Sequence, residues 1–204
     1  MSISTSETEL CKIFYKNGAD KCPLILHSYS PEYHRILEEI RFQTKNVLEI
    51  GIGTKNVMSH IVGNHYVPGA SLRSWKEYFT NAQIFGLDID KSVLFEDDRI
   101  KCFYADQSSA QSLDEAITKI HEFTKEKDIN FDIILDDGSH IKEHMILSYL
   151  SLNKYLKTGG IYIIEDIKRK DLQDFISLSV NGIKIDYIHR GLNEWDDFIC
   201  YRKL

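Results

Sequence analysis

The stretch Ile183-Lys-Ile-Asp-Tyr-Ile-His189, separated only by residues 190–196 from Asp197-Phe-Ile-Cys-Tyr201, decides the fold. Both runs are β-branched and aromatic, and the gap between them leaves no room for a crossover helix. They must pair antiparallel or lie in different places. Upstream the pattern differs. Compact apolar runs at Asn46–Ile50, Gln83–Asp88, Ile100–Tyr104, Phe131–Leu135 and Ile161–Ile164 alternate with segments of helical period. That alternation predicts parallel strands covered on both faces by crossover helices. The expected fold is therefore α/β: a Rossmann-like, seven-stranded sheet of five parallel strands plus a C-terminal antiparallel pair, with helices on both faces.

The helices have readable ends. Ser30-Pro31 predicts an N-cap and first position for a helix over Pro31–Ile40. Ser112 with Glu115 reads as a capping box, followed by Leu113, Ile117 and Ile120 on one face. A helix near Lys142–Lys157 is expected to end at Gly159-Gly160. A long loop, Thr54–Ala70, is expected before a helix at Ser71-Leu-Arg-Ser-Trp75.

Composition bounds the rest. A chain of 204 residues, 43% hydrophobic and 27% charged, suits one domain with its own core and is no disordered chain. The expectation is a single domain over 1–204, with 1–45 a helical lead-in over the active site. Twenty-five basic against thirty-one acidic residues leave a net charge of −6, which disfavours a general nucleic-acid binder. No apolar run approaches the roughly 20 residues that span a bilayer. Met1-Ser-Ile-Ser-Thr-Ser-Glu-Thr-Glu has neither a basic start nor an apolar run, so it is not a secretory signal. Cys11, Cys22, Cys102 and Cys200 form no Cys-x-x-Cys pair, and free thiols in a reducing compartment account for them best. These points lead to a cytoplasmic protein.

The first strand runs into Val47-Leu-Glu-Ile-Gly51-Ile-Gly53, where glycines let the backbone approach a ligand at the strand's carboxyl end. Alone this is weak, because many such glycine pairs are merely turns. Asp88 ends the second strand, where an acidic side chain accepts hydrogen bonds from a ribose diol. Asp106-Gln107 after the third strand could read an adenine edge or simply cap a loop. A nicotinamide dinucleotide wants a third glycine near position 56, which is Asn56, and a helix opening at once over the pyrophosphate. Glu49 would repel a diphosphate but attract a methionine ammonium. S-adenosylmethionine (SAM) is the better fit, and the antiparallel finish of the sheet argues for the class I SAM methyltransferases over a plain dinucleotide fold.

The fourth strand runs into Asp136-Asp137-Gly138-Ser139-His140 and the fifth into Glu165-Asp166. Carboxyl ends of adjacent parallel strands converge on one crevice. Four carboxylates there repel one another unless a cation sits among them, and oxygen ligands suit a hard ion, Mg²⁺ first and Mn²⁺ next. Taken singly, Asp136 or Asp166 could cap a helix and His140 could sit on a surface turn.

These motifs resemble the metal-dependent sugar O-methyltransferases of macrolide antibiotics, the mycinamicin and tylosin type, from about Phe14 to Arg202. The resemblance is carried by Val47-Leu-Glu-Ile-Gly-Ile-Gly, Gly69-Ala-Ser-Leu-Arg-Ser-Trp-Lys, Ile84-Phe-Gly-Leu-Asp-Ile, Asp132-Ile-Ile-Leu-Asp-Asp-Gly-Ser-His and Gly159-Gly-Ile-Tyr-Ile-Ile-Glu-Asp. Asp20-Lys21, His27, Tyr29 and Tyr33 resemble that family's lead-in. The resemblance implies Mg²⁺ ligation by Asp137, Glu165 and Asp166, and His140 as general base. It also implies a SAM side made of Glu49, Gly51, Ser71, Asp88, Asp106 and Asp136, to which Gly53 and Gln107 are added from the residue reading. Two departures are expected to alter the acceptor pocket and oligomer contacts: the family's extra N-terminal domain is absent from this chain, and the loop Thr54–Ala70 is its own.

The implied reaction is methyl transfer from SAM to a hydroxyl of a sugar or glycoside. A catechol-like acceptor, or a non-catalytic partner subunit with the same fold, stays open, as does a homo-oligomer. The expected partner is a small-molecule or glycan acceptor, with no nucleic acid and no membrane.

Overall fold

The computed structural model describes residues 8–126, 128–178 and 180–204. The reading of the first residues as no secretory signal falls mainly on 1–7, outside the described residues. The strands are β1 (Asn46–Ile50), β2 (Gln83–Asp88), β3 (Glu96–Asp97), β4 (Ile100–Tyr104), β5 (Phe131–Asp136), β6 (Leu156–Ile167), β7 (Ile183–His189) and β8 (Asp197–Lys203). They form one sheet in the order β3-β4-β2-β1-β5-β6-β8-β7. The run β4-β2-β1-β5-β6 is parallel. Strand β8 inserts antiparallel between β6 and β7, so the C-terminal pair expected from the sequence closes one edge. The eighth strand, β3, is a two-residue antiparallel strip on β4. It is too short to carry a pattern of its own.

Helices α1 (Glu9–Asn17), α2 (Tyr29–Leu37), α3 (Lys55–Val62), α4 (Ala70–Tyr78), α5 (Ala110–Thr124), α6 (Lys142–Leu152) and α7 (Leu172–Ile176) flank the sheet. Period-2 alternation along the strands separates two cores. Val47, Ile133, Leu135, Ile161 and Ile163 pack with α1, α2 and α4. Leu48, Ile50, Ile134, Tyr162 and Ile164 pack with α5, α6 and α7. All four cysteines are buried and free.

Several expected boundaries move. Helix α2 starts at Tyr29 after Ser28, which makes no side-chain cap. Pro31 still falls in the first turn, where its missing N–H costs nothing. The cap of α5 is Ser109, whose hydroxyl accepts from Ser112 N, while Ser112 Oγ accepts from Asp106 N. Helix α6 stops at Leu152 and a 3₁₀ turn over Asn153–Tyr155 follows, so Gly159-Gly160 lie inside β6 instead of ending the helix. Nearly half of the stretch expected as the loop Thr54–Ala70 folds as α3, capped by Thr54 Oγ1 on Val57 N.

Candidate active site

Three strand ends meet at the site. Gly51 follows β1 at φ +94°, and a Cβ there would lie 2.0 Å from the Asp137 carbonyl oxygen, so only glycine permits this approach. Asp137 N donates to Ile50 O at 2.9 Å, and Gly51 N to Leu87 O at 2.8 Å, which laces the loops after β1, β2 and β5 together. Asp88 Oδ2 accepts from Ile52 N and Asp88 Oδ1 from Asp90 N, both at 2.8 Å, so this carboxylate also braces the glycine loop. Beside these loops lies a cavity of about 490 Å³, within the ordinary range for a small-molecule site. Gly51, Gly53, Ser71, Asp88, Asp106 and Gln107 line it, and so do Asp137, His140 and Asp166. Residues assigned from sequence to cofactor and to chemistry thus share one cavity wall.

Two of the expected cofactor residues stand behind that wall. Asp136 is fully buried and accepts from Gln107 Nε2 at 2.6 Å and from the Ser148 hydroxyl. Its neighbour Asp137 faces the other side of the sheet, as strand alternation requires. Glu49 is also fully buried, on the α1/α2/α4 side, with neither carboxylate oxygen hydrogen-bonded. Burial pushes the pKa of each up to about 7. Gln107 differs from expectation as well. Its amide nitrogen serves Asp136 and its oxygen accepts from Ser139 N at 2.8 Å, so it orders the loop after β5 instead of presenting both ends to a base. Asp106 accepts twice from Ser108 through Oδ1.

The acid cluster sits at the ends of β5 and β6. Consecutive strand residues should face opposite sides, yet Glu165 and Asp166 both reach the cluster. The register with β8 shifts between Ile164 and Ile167, and Asp166 takes φ +52°. His140, at φ +53°, is the second non-glycine residue of the site held in this disfavoured region. Its Nδ1 lies 3.3 Å from Asp166 Oδ2 and its Nε2 3.9 Å from Asp137 Oδ1, with 40% of the side chain exposed to the crevice. One donor atom each from Asp137, His140 and Asp166 fall within 4.8 Å of one another, a spacing that a single cation can bridge.

The segment before β1 reaches over this cluster. Tyr29 and Tyr33, one turn apart on α2, donate to Asp166 Oδ1 and, at 2.6 Å, to Glu165 Oε1. Lys21 is fully buried, with Nζ 2.5 Å from both Asp137 Oδ2 and Glu165 Oε2 and 3.7 Å from Glu49 Oε1. Burial works against its charge, but these carboxylates outweigh burial and hold its pKa well above the usual lysine value. Glu165, expected as a metal ligand, therefore has both oxygens engaged. The oxygens left toward the crevice are Asp137 Oδ1 and Asp166 Oδ2. His27 stacks on Tyr29 and bonds Asp196 Oδ1 at 3.0 Å, tying the loop before β8 to the same rim. Lys21, Tyr29 and Tyr33 received no individual role from the sequence. The one signal was the i, i+4 tyrosine pair beside Asp20-Lys21.

One ammonium does not balance this cluster. Burial raises the pKa of Glu165 well above the carboxylate range and raises those of Asp166 and Asp20, with Asp137 adding to each by repulsion. Such an anion excess, with two unshared oxygens and an imidazole at its open side, fits a hard divalent cation.

No protein-family model matches the chain. Over 145 residues it is 37% identical to mycinamicin VI 2''-O-methyltransferase of Micromonospora griseorubida, covering 70% of this chain and 32% of that protein. Over 144 residues it is 37% identical to demethylmacrocin O-methyltransferase of Streptomyces fradiae, with the same coverage, 70% and 32%. The chain thus spans about a third of the length of these relatives. Among solved structures, it superposes on the MycE methyltransferase of the mycinamycin pathway in complex with Mg and SAH. The TM-score is 0.71 at 29% identity, over 96% of this chain and 55% of that one. The complex of the same enzyme with Mg, SAH and mycinamycin VI gives 0.70 at 28% identity, over 98% and 56%.

Proposed function

We propose that this chain, which has the SAM-dependent methyltransferase fold and whose homologues are the macrolide sugar O-methyltransferases, transfers the methyl group of SAM to a hydroxyl of a sugar or glycoside with Mg²⁺ as cofactor. The observation that carries the reading is the shared cavity, whose wall joins Gly51, Asp88 and Asp106 to Asp137, His140 and Asp166. Asp88 keeps lone pairs free for a ribose diol while bracing the glycine loop. Gly51, Gly53 and Ser71 shape the wall, and Asp106 faces the adenine end. Glu49, facing Lys21 Nζ at 3.7 Å, and Asp136, behind Gln107, support that wall from the two faces of the sheet.

Asp137 and Asp166 are the residues that would hold the ion, with Glu165 positioned behind them. When bound, the ion would acidify and orient an acceptor hydroxyl, and two neighbouring hydroxyls would chelate it best. His140 supplies the base. Nδ1 lies on the Asp166 side, 3.3 Å from Oδ2 without a hydrogen bond, and Nε2 is the nitrogen proposed as proton acceptor toward the crevice. The tyrosines of α2 fix Glu165 and Asp166, so the acids do not move as the proton leaves. Of the segment 1–45 proposed as a lead-in over the site, the described part from Lys21 to Tyr33 supplies the contacts with the cluster. Free thiols and an intracellular methyl donor suit the cytoplasm.

The test is methyl transfer from labelled SAM across a panel of glycosides, with Mg²⁺ or with excess EDTA. Glycosides bearing a free vicinal diol are expected to react only with the metal present. Full activity in EDTA, or NAD binding tighter than S-adenosylhomocysteine by calorimetry, would overturn the reading. Among the described residues no helix is long and apolar enough to cross a membrane.

A further inference from the structure

Lys21 is the one lysine or arginine that is fully buried among the described residues. Its backbone is fixed independently of the cluster. Helix α1 ends at Gly18 in the left-handed region, Ala19 N donates to Phe14 O, His27 N to Asp20 O, and Ser30 N to Lys21 O, all near 2.9 Å. The loop thus delivers an ammonium to a set place beneath the strand ends. There it takes Asp137 Oδ2 and Glu165 Oε2 and leaves Asp137 Oδ1 and Asp166 Oδ2 toward His140. Oxygens are divided between an inner cation that the chain carries and an outer side that it leaves open.

We infer that Lys21 is the resident cation of this cluster, holding Asp137 and Glu165 in place before any divalent ion binds, so that metal is a requirement of transfer and not of folding. Glu49, Asp137 and Glu165 converge on Nζ, and without it these carboxylates would repel one another. Lys21 is a positioning residue, since it touches neither cavity nor acceptor. The part that concerns the divalent ion rests on the function proposed above.

The experiment compares thermal unfolding of the whole chain in EDTA and in Mg²⁺ or Mn²⁺ for wild type, Lys21→Met and the double variant Lys21→Met/Glu165→Gln. Wild type is expected to melt at nearly the same temperature in EDTA as in buffer. In EDTA, Lys21→Met should melt about 10 °C lower, the effect of stranding buried charges in a chain of this size. Mn²⁺ should raise its melting temperature more than it raises that of wild type, which a purely steric role would not produce. The double variant removes one charge of each sign, and the amide oxygen introduced by Glu165→Gln can still accept from Tyr33, so it should regain most of the loss without metal. A Lys21→Met protein as stable as wild type in EDTA overturns the inference, as does a wild type that unfolds in EDTA. If Lys21→Met is insoluble, the double variant decides. A soluble, metal-free fold supports the inference and an insoluble one overturns it. Mn²⁺ binding to wild type, followed by its spin-resonance signal, separates the two proposals. Its absence removes the metal from the proposed function, while the comparison in EDTA still decides the role of Lys21.

Discussion

Asp136 and Asp137 are neighbours in the chain and sit in opposite kinds of surroundings. Asp136 turns to the α5/α6 side, where an amide and a hydroxyl satisfy it and no cation comes near. Asp137 turns to the α1/α2 side, where it meets Lys21, Glu165 and His140. The same residue type is a satisfied element of structure in one place and part of an anionic cluster that calls for a cation in the other. Strand alternation alone makes the assignment. A carboxylate can therefore be read for function only together with the face that it occupies.

The largest effect that this contrast predicts is on transfer. Asp137→Asn keeps the shape of the side chain and removes its charge, and should lower metal-dependent kcat by about 10³-fold or more, a loss of some 4 kcal/mol of transition-state stabilisation. S-adenosylhomocysteine affinity by calorimetry should hold, because Lys21 keeps Glu165 and the glycine loop is braced by Asp88. A variant that retains transfer would place the metal elsewhere. His140→Gln comes next, with a fall of about 10²–10⁴-fold, the usual worth of a positioned base. A variant that keeps the wild-type rate would move proton acceptance away from His140.

The contrast between the two aspartates was legible in part. The β-branched runs located seven of the eight strands, and the acid pairs after β5 and β6 were visible as motifs. Alternation along Ile133, Ile134 and Leu135 tells Asp136 from Asp137, but the residue reading counted both among four converging carboxylates, and only the resemblance set Asp136 on the cofactor side and Asp137 with the metal. Lys21 was hidden for a physical reason. A loop lysine ordinarily reads as solvated, and its burial depends on carboxylates brought from β1, β5 and β6 by the tertiary fold. The bulge that brings Glu165 and Asp166 to one side has no local sequence mark. Capping serines misled because Ser109 and Ser112 are equally good caps, and the choice fell to the one that can also leave Ser112 Oγ free for Asp106 N.

A smaller effect is expected at the cofactor wall. Asp88→Ala removes an acceptor for a ribose diol and also releases Ile52 N and Asp90 N. Binding of S-adenosylhomocysteine should weaken by roughly 10- to 100-fold, equivalent to about 1.5–3 kcal/mol. Asp88→Asn keeps one acceptor oxygen and should fall between. Equal affinity in all three proteins would remove Asp88 from the cofactor site and leave it only the loop.

The smallest effect tests Asp136, and it appears in stability, not in transfer. In the unfolded chain its carboxyl ionises near 3.8, whereas burial in the fold pushes it up to about 7. Between those values the folded protein keeps a proton that the unfolded chain has lost. Raising the pH through this window therefore favours unfolding, and the contribution of Asp136 is most favourable below pH 4 and declines until about pH 7. Asp136→Asn has no such ionisation. Its amide oxygen can still accept from Gln107 Nε2, while Ser148 keeps its bond to Met145 O. Relative to wild type, the variant should gain about 2 kcal/mol between pH 5 and pH 8 in urea titrations. Its transfer rate and S-adenosylhomocysteine affinity at pH 7 should stay within a few-fold of wild type, because Asp136 stands behind the cavity wall. A fall in affinity beyond tenfold would bring Asp136 to the cofactor and dissolve the division between the two aspartates. An unchanged pH dependence would mean that Asp136 is already ionised in the fold, with Gln107 and Ser148 stabilising the charge.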